Sequence, residues 1–461
     1  MRLRALVFLL LVASISPACG RKVDNATHVD GIRQTVTSTP SWVAKGDLGK
    51  RLWAIEQAFY ENRGHMPAWI DGQGTTPQLK ELVSQLHYSE KHGFDPARYH
   101  VAEFEQAREQ SQSKTEGTVF PVERIPELDA KMTYAYLQYA ADLLGWDSTP
   151  QKFNKNWIDK PREDDLAARL EKAIDAQSVR DTLEQLAPAH PQYKGLQAAL
   201  VRERQNPTGK AEQLLMNMER WRWAPRDLGE RYILVNVPAY QLQVMEGDTP
   251  ALAMRVIVGK PDSQTPLFSD EMTYVVFSPY WNIPESILRD EMLPKVAKDP
   301  DVLRRNNIEV VGTSGDGGVV DPTSIDWSDE AATKGIRFRQ APGPENALGL
   351  VKFIFPNHFN VYLHDTPGDK AFFKEKRPLS HGCVRVEDPV ALAKYVLGDQ
   401  PQWTAPRIEA AMNAKSEQSV TLKKSLPVHI GYWTAWVLPD GSVTYTDDPY
   451  GLDQKQARAA E

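Results

Sequence analysis

Two hydrophobic periods divide this chain. From residue 46 to about 205, apolar positions recur every three or four residues, as in Leu48, Leu52, Ile55 and Phe59. That spacing puts them on one face of an α-helix. Thr76 can cap a second helix with Pro77 at its first position, and Leu79, Leu82, Val83 and Leu86 give it one apolar face. Leu128, Met132, Tyr139 and Leu143 make a third, ended by Gly145, and Leu166, Leu170 and Ile174 a fourth. Residues 206–229 read as a linking helix. After Pro225 the period drops to two. Arg231–Val237 and Tyr240–Met245 flank Pro238-Ala239 as a hairpin, and Arg255–Val258, Thr273–Phe277, Lys352–Phe355 and Asn360–His364 read as further strands. Residues 285–345 interrupt them with Gly, Asp and Pro, an insertion long enough to be a lid or binding subdomain. Asp388-Pro389 caps a helix to about Leu397, and 401–461 reads as a C-terminal extension packing on the strand-rich part. The pattern predicts an α+β multi-domain chain: a helical scaffold over 46–205 and a β-rich domain over 230–400.

The first residues differ from both. Arg2 and Arg4, the apolar run Leu6–Val12 and the mostly small residues Ala13–Ala18 read as an export signal over 1–19. The run is short of the ~20 apolar residues that a membrane-spanning helix needs. Cys19 follows Ser16-Pro17-Ala18 and resembles a lipoprotein processing site, an alternative to ordinary cleavage nearby. Residues 20–45 are polar and read as a tether.

Composition narrows the function. With 54 basic and 61 acidic residues the formal charge is −7, and no basic patch dominates, which argues against nucleic acid as a partner. There are two cysteines. Removal or acylation of Cys19 leaves Cys383 as the lone thiol of an exported protein, a setting that favours reactivity.

Cys383 lies in Leu379-Ser380-His381-Gly382-Cys383-Val384-Arg385, with His364 upstream in Tyr362-Leu363-His364-Asp365-Thr366-Pro367. A free thiol, with a pKa of about 8.5, is only a few per cent thiolate at neutral pH and needs a base. His364, at the end of a strand, is the expected base and partner of a thiolate–imidazolium pair. His381 would shape the turn or the pocket, and is the alternative base. Asp365 would orient the imidazole through its side chain or its carbonyl, the amides of Gly382 and Cys383 would hold an oxyanion, and Arg385 would anchor a carboxylate or brace the loop. Two blander readings stand beside this one. A lone cysteine is usually a small core residue, and His358, His364, His381 and Cys383 could together hold zinc, although their spacing fits no common zinc signature.

Taken jointly, the segments resemble the L,D-transpeptidase family of bacterial cell-wall enzymes. Its signature is similar to a histidine, a mid-length spacer, then Ser/Thr-His-Gly-Cys-x-Arg/Asn; here 15 residues (365–379) separate His364 from Ser380. Met218-Glu219-Arg220-Trp221-Arg222-Trp223, Trp281-Asn282-Ile283-Pro284 and Asn346-Ala347-Leu348-Gly349 extend the likeness to the large Gram-negative subgroup over about 205–450. The resemblance implies a β-rich sandwich or barrel-like sheet with 285–345 as a capping subdomain, and peptidoglycan stem peptides as substrate. It also implies Cys383 as nucleophile, His364 as proton carrier, Tyr362 and Arg385 on the substrate, Ser380 and His381 in support, and no cofactor or metal. Cell-wall synthesis proteins, and a membrane through a lipid on Cys19, are the further partners it suggests, in the periplasm or envelope. One departure stands out: the subgroup's small peptidoglycan-binding module is not visible, because Gln205-Asn206-Pro207-Thr208-Gly209 joins the two parts almost directly. Two rival functions share the motif. One is a cysteine hydrolase of stems or wall-linked protein, in which water resolves the thioester. The other is a wall-binding scaffold with a vestigial site.

Overall fold

The computed structural model describes residues 26–71, 74–112, 122–159, 161–312, 318–327, 329 and 335–460. The export segment and Cys19 lie outside them. The chain divides into two compact units. The first takes in residues to His87, Pro96–Gln138 and Asp165–Thr182. It is helical, and its core is built on Leu52, Phe59, Leu79, Leu82, Leu86 and Leu128, the positions that the 3.6 period marks. The buried carboxylate of Asp129 accepts from the amides of Ala68, Trp69 and Ile70 and from the Tyr60 hydroxyl, which satisfies it without an ion pair.

The tether reading of 20–45 is corrected in part. Ala26–Thr37 is a helix with Ile32 and Val36 buried, an i, i+4 pair that the polar composition around it disguises. The scaffold boundary differs as well. Tyr139–Asp164 and the helices from Leu183 onward belong with the second, strand-rich unit. They include Pro191–Gln205 and Ala211–Trp223, whose buried Leu196, Leu200, Met218 and Trp221 join Tyr232, Leu234 and Trp433 in one apolar cluster.

The second unit is organised by one mixed sheet. Its strands are β1 (Arg231–Asn236), β2 (Gln241–Glu246), β3 (Thr249–Gly259), β4 (Phe268–Phe277), β5 (Val351–Ile354), β6 (Leu363–His364), β7 (Pro378–Ser380), β8 (Val384–Val386) and β9 (Gln418–Gly431). Hydrogen-bonded neighbours run β7-β3-β8-β6-β5-β4-β9-β1-β2, and β2 pairs back onto β3, so the sheet closes like a barrel. Inward residues such as Ile233, Val235, Leu242, Val256, Val275, Phe353, Leu363 and Val384 form its core. Asp388 caps Pro389–Val396 by accepting from the Ala391 amide, as its sequence predicts.

β9 corrects the expected C-terminal extension. It is a central strand, parallel to β1 (Val428 opposite Ile233) and antiparallel to β4 (Val428 opposite Asp270). Its first half is largely exposed, through Lys423, Lys424 and Ser425, and its register shifts between Thr421 and Leu426. That break hides the alternation that marks a strand.

Between β4 and β5 the insertion folds on its own small core of Val296, Leu303, Val310 and Phe338. Four short strands, Trp281–Asn282, Ile336–Gln340, Ile308–Gly312 and Val319–Val320, pair in that order.

Candidate active site

The site is assembled by two very short parallel strands. β6 and β8 pair with Leu363 opposite Val384 and His364 opposite Arg385, and the Val384 amide donates to the Tyr362 carbonyl at 3.1 Å. Alternation turns Leu363 and Val384 into the core. It therefore leaves Tyr362, His364, Cys383 and Arg385 on the opposite face. His364 and Cys383 are diagonal neighbours there, with Cα atoms roughly 8 Å apart on ordinary strand spacings.

The cysteine turn is held from within and from behind. Ser380 Oγ donates to the Cys383 carbonyl at 2.6 Å and accepts from the Gly382 amide at 3.1 Å. Gly382 adopts φ +117°, a region that L side chains avoid. Behind it, Thr265 Oγ1 donates to the Gly382 carbonyl at 2.8 Å and accepts from the Gly259 amide at 2.9 Å, and the Tyr450 hydroxyl donates to the Gly259 carbonyl at 2.7 Å. Because the Gly382 amide is already bonded to Ser380, the Cys383 amide is the member of the expected oxyanion pair left for substrate.

Cys383 is half-buried and free. Its sulfur faces the Asn360 carbonyl at 3.9 Å and lies in hydrogen-bonding contact with Tyr362. Burial pushes the thiol up to about 11, against the lowering pull of Tyr362 and the Arg385 charge. Burial, with the neighbouring thiol, likewise raises Tyr362, so its hydroxyl stays protonated as a donor. The Tyr362 and His364 rings meet edge to face at 5.7 Å.

His364 is buried, and its Nδ1 donates to the Asp365 carbonyl at 2.5 Å. With the proton of the neutral ring on Nδ1, Nε2 carries the lone pair. Burial first, and the Arg385 charge second, lower its pKa to about 3, although the backbone of Asp365 and Leu348 pulls the other way. Burial of both groups disfavours the charge separation of the expected thiolate–imidazolium pair. Among the described residues no hydrogen bond joins either imidazole to the sulfur. His381 turns away, its Nε2 2.7 Å from Glu291 Oε1 of the insertion.

Asp365 acts on His364 through its backbone. Its carboxylate accepts from the Leu350 and Thr366 amides, each at 2.7 Å, and so ties the preceding loop to β6. Gly349 permits this, because a Cβ there would sit 2.3 Å from the Asp365 side chain. Asn357 builds the loop before Tyr362 by donating to the Phe355 and Val361 carbonyls and accepting from the Phe359 and Val361 amides. Tyr450, Asn357 and Asn360 carry no sequence signal for a place in the site, and Thr265 enters only within Thr265-Pro266, as part of the family likeness. No cluster of metal-ligating side chains occurs among the described residues, and His358 stands against Phe359, its ring centroid 3.8 Å away, as a surface contact of that loop.

A cysteine turn on the same sheet face as a buried histidine brings together the residue types that thiol acyl transfer uses. Comparison with known proteins agrees. Residues 230–430 match the model of the L,D-transpeptidase catalytic domain, and 56–200 match that of a scaffold domain. A putative L,D-transpeptidase of Haemophilus influenzae is 30% identical over 453 residues, covering 96% of this chain and 88% of its own length. The chain belongs to the L,D-transpeptidase family. Among solved structures, an L,D-transpeptidase from Mycobacterium smegmatis aligns at 13% identity and a TM-score of 0.20, over 44% of this chain and 58% of its own. The L,D-transpeptidase LdtMt1 in complex with imipenem aligns at 14% and 0.19, over 44% and 58%. The match thus spans under two thirds of each of these solved chains.

Proposed function

We propose that this protein forms 3→3 cross-links in peptidoglycan through a Cys383 acyl-enzyme. The observation that carries the reading is the β6–β8 register, which sets Tyr362, Cys383, His364 and Arg385 on one face. The Cys383 sulfur adds to the carbonyl of the donor stem's third residue, diaminopimelate, and its proton passes to His364 Nε2. The C–N bond to the terminal D-alanine then breaks, and His364 returns the proton to the leaving amine. An acceptor stem's side-chain amine attacks the thioester, loses a proton to His364, and the thiolate leaves and is reprotonated. Starting from neutral partners, sulfur attack and proton transfer are coupled. The Cys383 amide and the protonated Tyr362 hydroxyl are the donors available to the developing oxyanion.

The protein would work in the periplasm or cell envelope, with Cys19 as its lipid anchor if that residue is processed; among the described residues no helix is long and apolar enough to cross a membrane. Incubation with disaccharide tetrapeptides, read by mass spectrometry, tests the reaction. Cross-linked dimer and free D-alanine from the wild type, with neither from Cys383→Ala, are expected. Tripeptide without dimer would make the protein a hydrolase, and turnover by Cys383→Ala would remove the assigned nucleophile.

A further inference from the structure

The outer face of β8 carries more than the catalytic residues. Val384 and Val386 turn into the core, so Cys383, Arg385 and Glu387 share the other face. Glu387 thus lies roughly 13 Å from Cys383 on ordinary strand spacing. There a groove of about 610 Å³ is lined by Tyr240, Gln241, Arg255, Arg377, Glu387 and Thr444. Its charges are engaged within the protein. Glu387 accepts from the Arg255 amide at 3.0 Å and from Arg255 Nε at 2.9 Å. Arg377 donates to the Val256, Tyr240 and Lys374 carbonyls at 3.2, 3.2 and 2.6 Å.

Two aromatic residues shape the surface here. Tyr240 is held at φ +52°, uncommon for a bulky residue, with the Arg377 guanidinium 5.1 Å from its ring centroid. Phe373 ends the short helix Asp369–Phe373. At 74% exposure it is the most exposed large hydrophobic residue among those described, and the Arg255 guanidinium, 4.4 Å from its ring centroid, orients it. An apolar ring held in water beside an arginine–carboxylate pair suits a ligand that is apolar on one face and hydroxylated at its edges. A pyranose ring is such a ligand. Its C–H bonds pack on the negative face of an aromatic ring. Its hydroxyls and an N-acetyl group can exchange hydrogen bonds with Arg255, Glu387, Gln241 and Thr444. A free anion would meet the Glu387 charge, so the groove favours a neutral sugar.

We propose that this groove binds a neutral N-acetylated sugar, stacked on Phe373 and hydrogen-bonded to Arg255 and Glu387. Given the cross-linking function proposed above, on which this inference rests, the sugar is the one that carries the donor stem. A lactyl link and three residues run from it to the attacked carbonyl, and together they reach roughly 10–14 Å when extended. That span matches the separation of Cys383 from Glu387. Phe373 and the Arg255–Glu387 pair then hold the glycan while Cys383 acts on the peptide.

The test is calorimetric titration of full-length Cys383→Ala, which cannot turn over its ligand, with a disaccharide tetrapeptide and with the same tetrapeptide lacking its sugars. The sugars are expected to tighten binding by about tenfold, in keeping with one aromatic stacking contact and its hydrogen bonds. Adding Phe373→Ala should bring the two affinities within about twofold of each other, by weakening the disaccharide peptide alone. Phe373→Trp should keep the preference. Equal affinities with Phe373 intact, no binding of either peptide, or a preference that survives Phe373→Ala would each overturn the groove. So would an equal fall for both peptides in that variant. Wild-type turnover is read separately. Dimer from both peptides at the same KM would sink the groove and leave the function standing. A sugar preference without dimer or free D-alanine would remove the function and leave the sugar site.

Discussion

The two sides of the catalytic cleft are built differently. The barrel side is apolar core and short hydrogen bonds: Leu363 and Val384 are fully buried beneath the site, and Ser380, Thr265 and Tyr450 lock the cysteine turn through bonds of 2.6–2.8 Å. The insertion side has a small core around Val296, Leu303 and Phe338, and its charges are mostly half-exposed or exposed. Exposed pairs of that kind contribute little, about 0–1 kcal/mol each. Many buried contacts thus over-determine the cysteine turn, while few restrain the insertion wall that faces it. Substitutions on the barrel side should act on kcat, and those on the insertion side on KM.

The largest effect expected from changing the base is His364→Gln, which keeps a polar side chain but no titratable nitrogen. Loss of general-base catalysis should lower kcat by roughly 10²–10⁴ with little change in KM. A KM effect alone would shift His364 to the recognition side. Gly382→Ala comes next. A Cβ there would meet the Gln264 and Ser263 carbonyl oxygens at ordinary contact distances of 3.7 and 3.9 Å, so the strain is conformational. About 1–2 kcal/mol of left-handed penalty would displace the thiol and cut kcat by about tenfold, while a thermal melt of the variant stays near the wild type. On the other wall, Glu291→Gln removes the charge facing His381. It should raise KM by a few-fold with kcat within about twofold, in line with the modest worth of exposed pairs. A large fall in kcat there would mean that the insertion shapes the reaction geometry itself.

The same contrast explains what the sequence made legible. The strands β1 to β5, the Asp388 cap and the paired Cys383/His364 segments follow from alternation, capping chemistry and spacing. β6 is shorter than Asn360–His364 because Asn360 sits at φ +55° and Asn357 ties the preceding loop into a turn, a tertiary choice that β propensity does not report. The first half of β9 was hidden by its exposed lysines and its break in register, while strand character is readable from Pro427 onward. Asp365 was readable as a partner of His364 through either its side chain or its carbonyl, and only the fold selects the carbonyl. What burial does to His364 and Cys383 was beyond reach, because it depends on the packing and on Arg385 standing opposite His364, which only the parallel register supplies.

A neutral Cys383/His364 pair at rest is the central claim, and alkylation of Cys383 by iodoacetamide across pH tests it directly, with intact mass as the readout. A thiol that burial holds above its free value should react about tenfold faster for each unit of rising pH through the neutral range, because the thiolate fraction grows tenfold per unit below the pKa. Substituting His364→Gln should leave that slope unchanged, since the neutral imidazole does not hold the thiol proton at rest. A rate that reaches a plateau below about pH 8 in the wild type and loses it in His364→Gln would mean a resting thiolate–imidazolium pair, and would contradict this account.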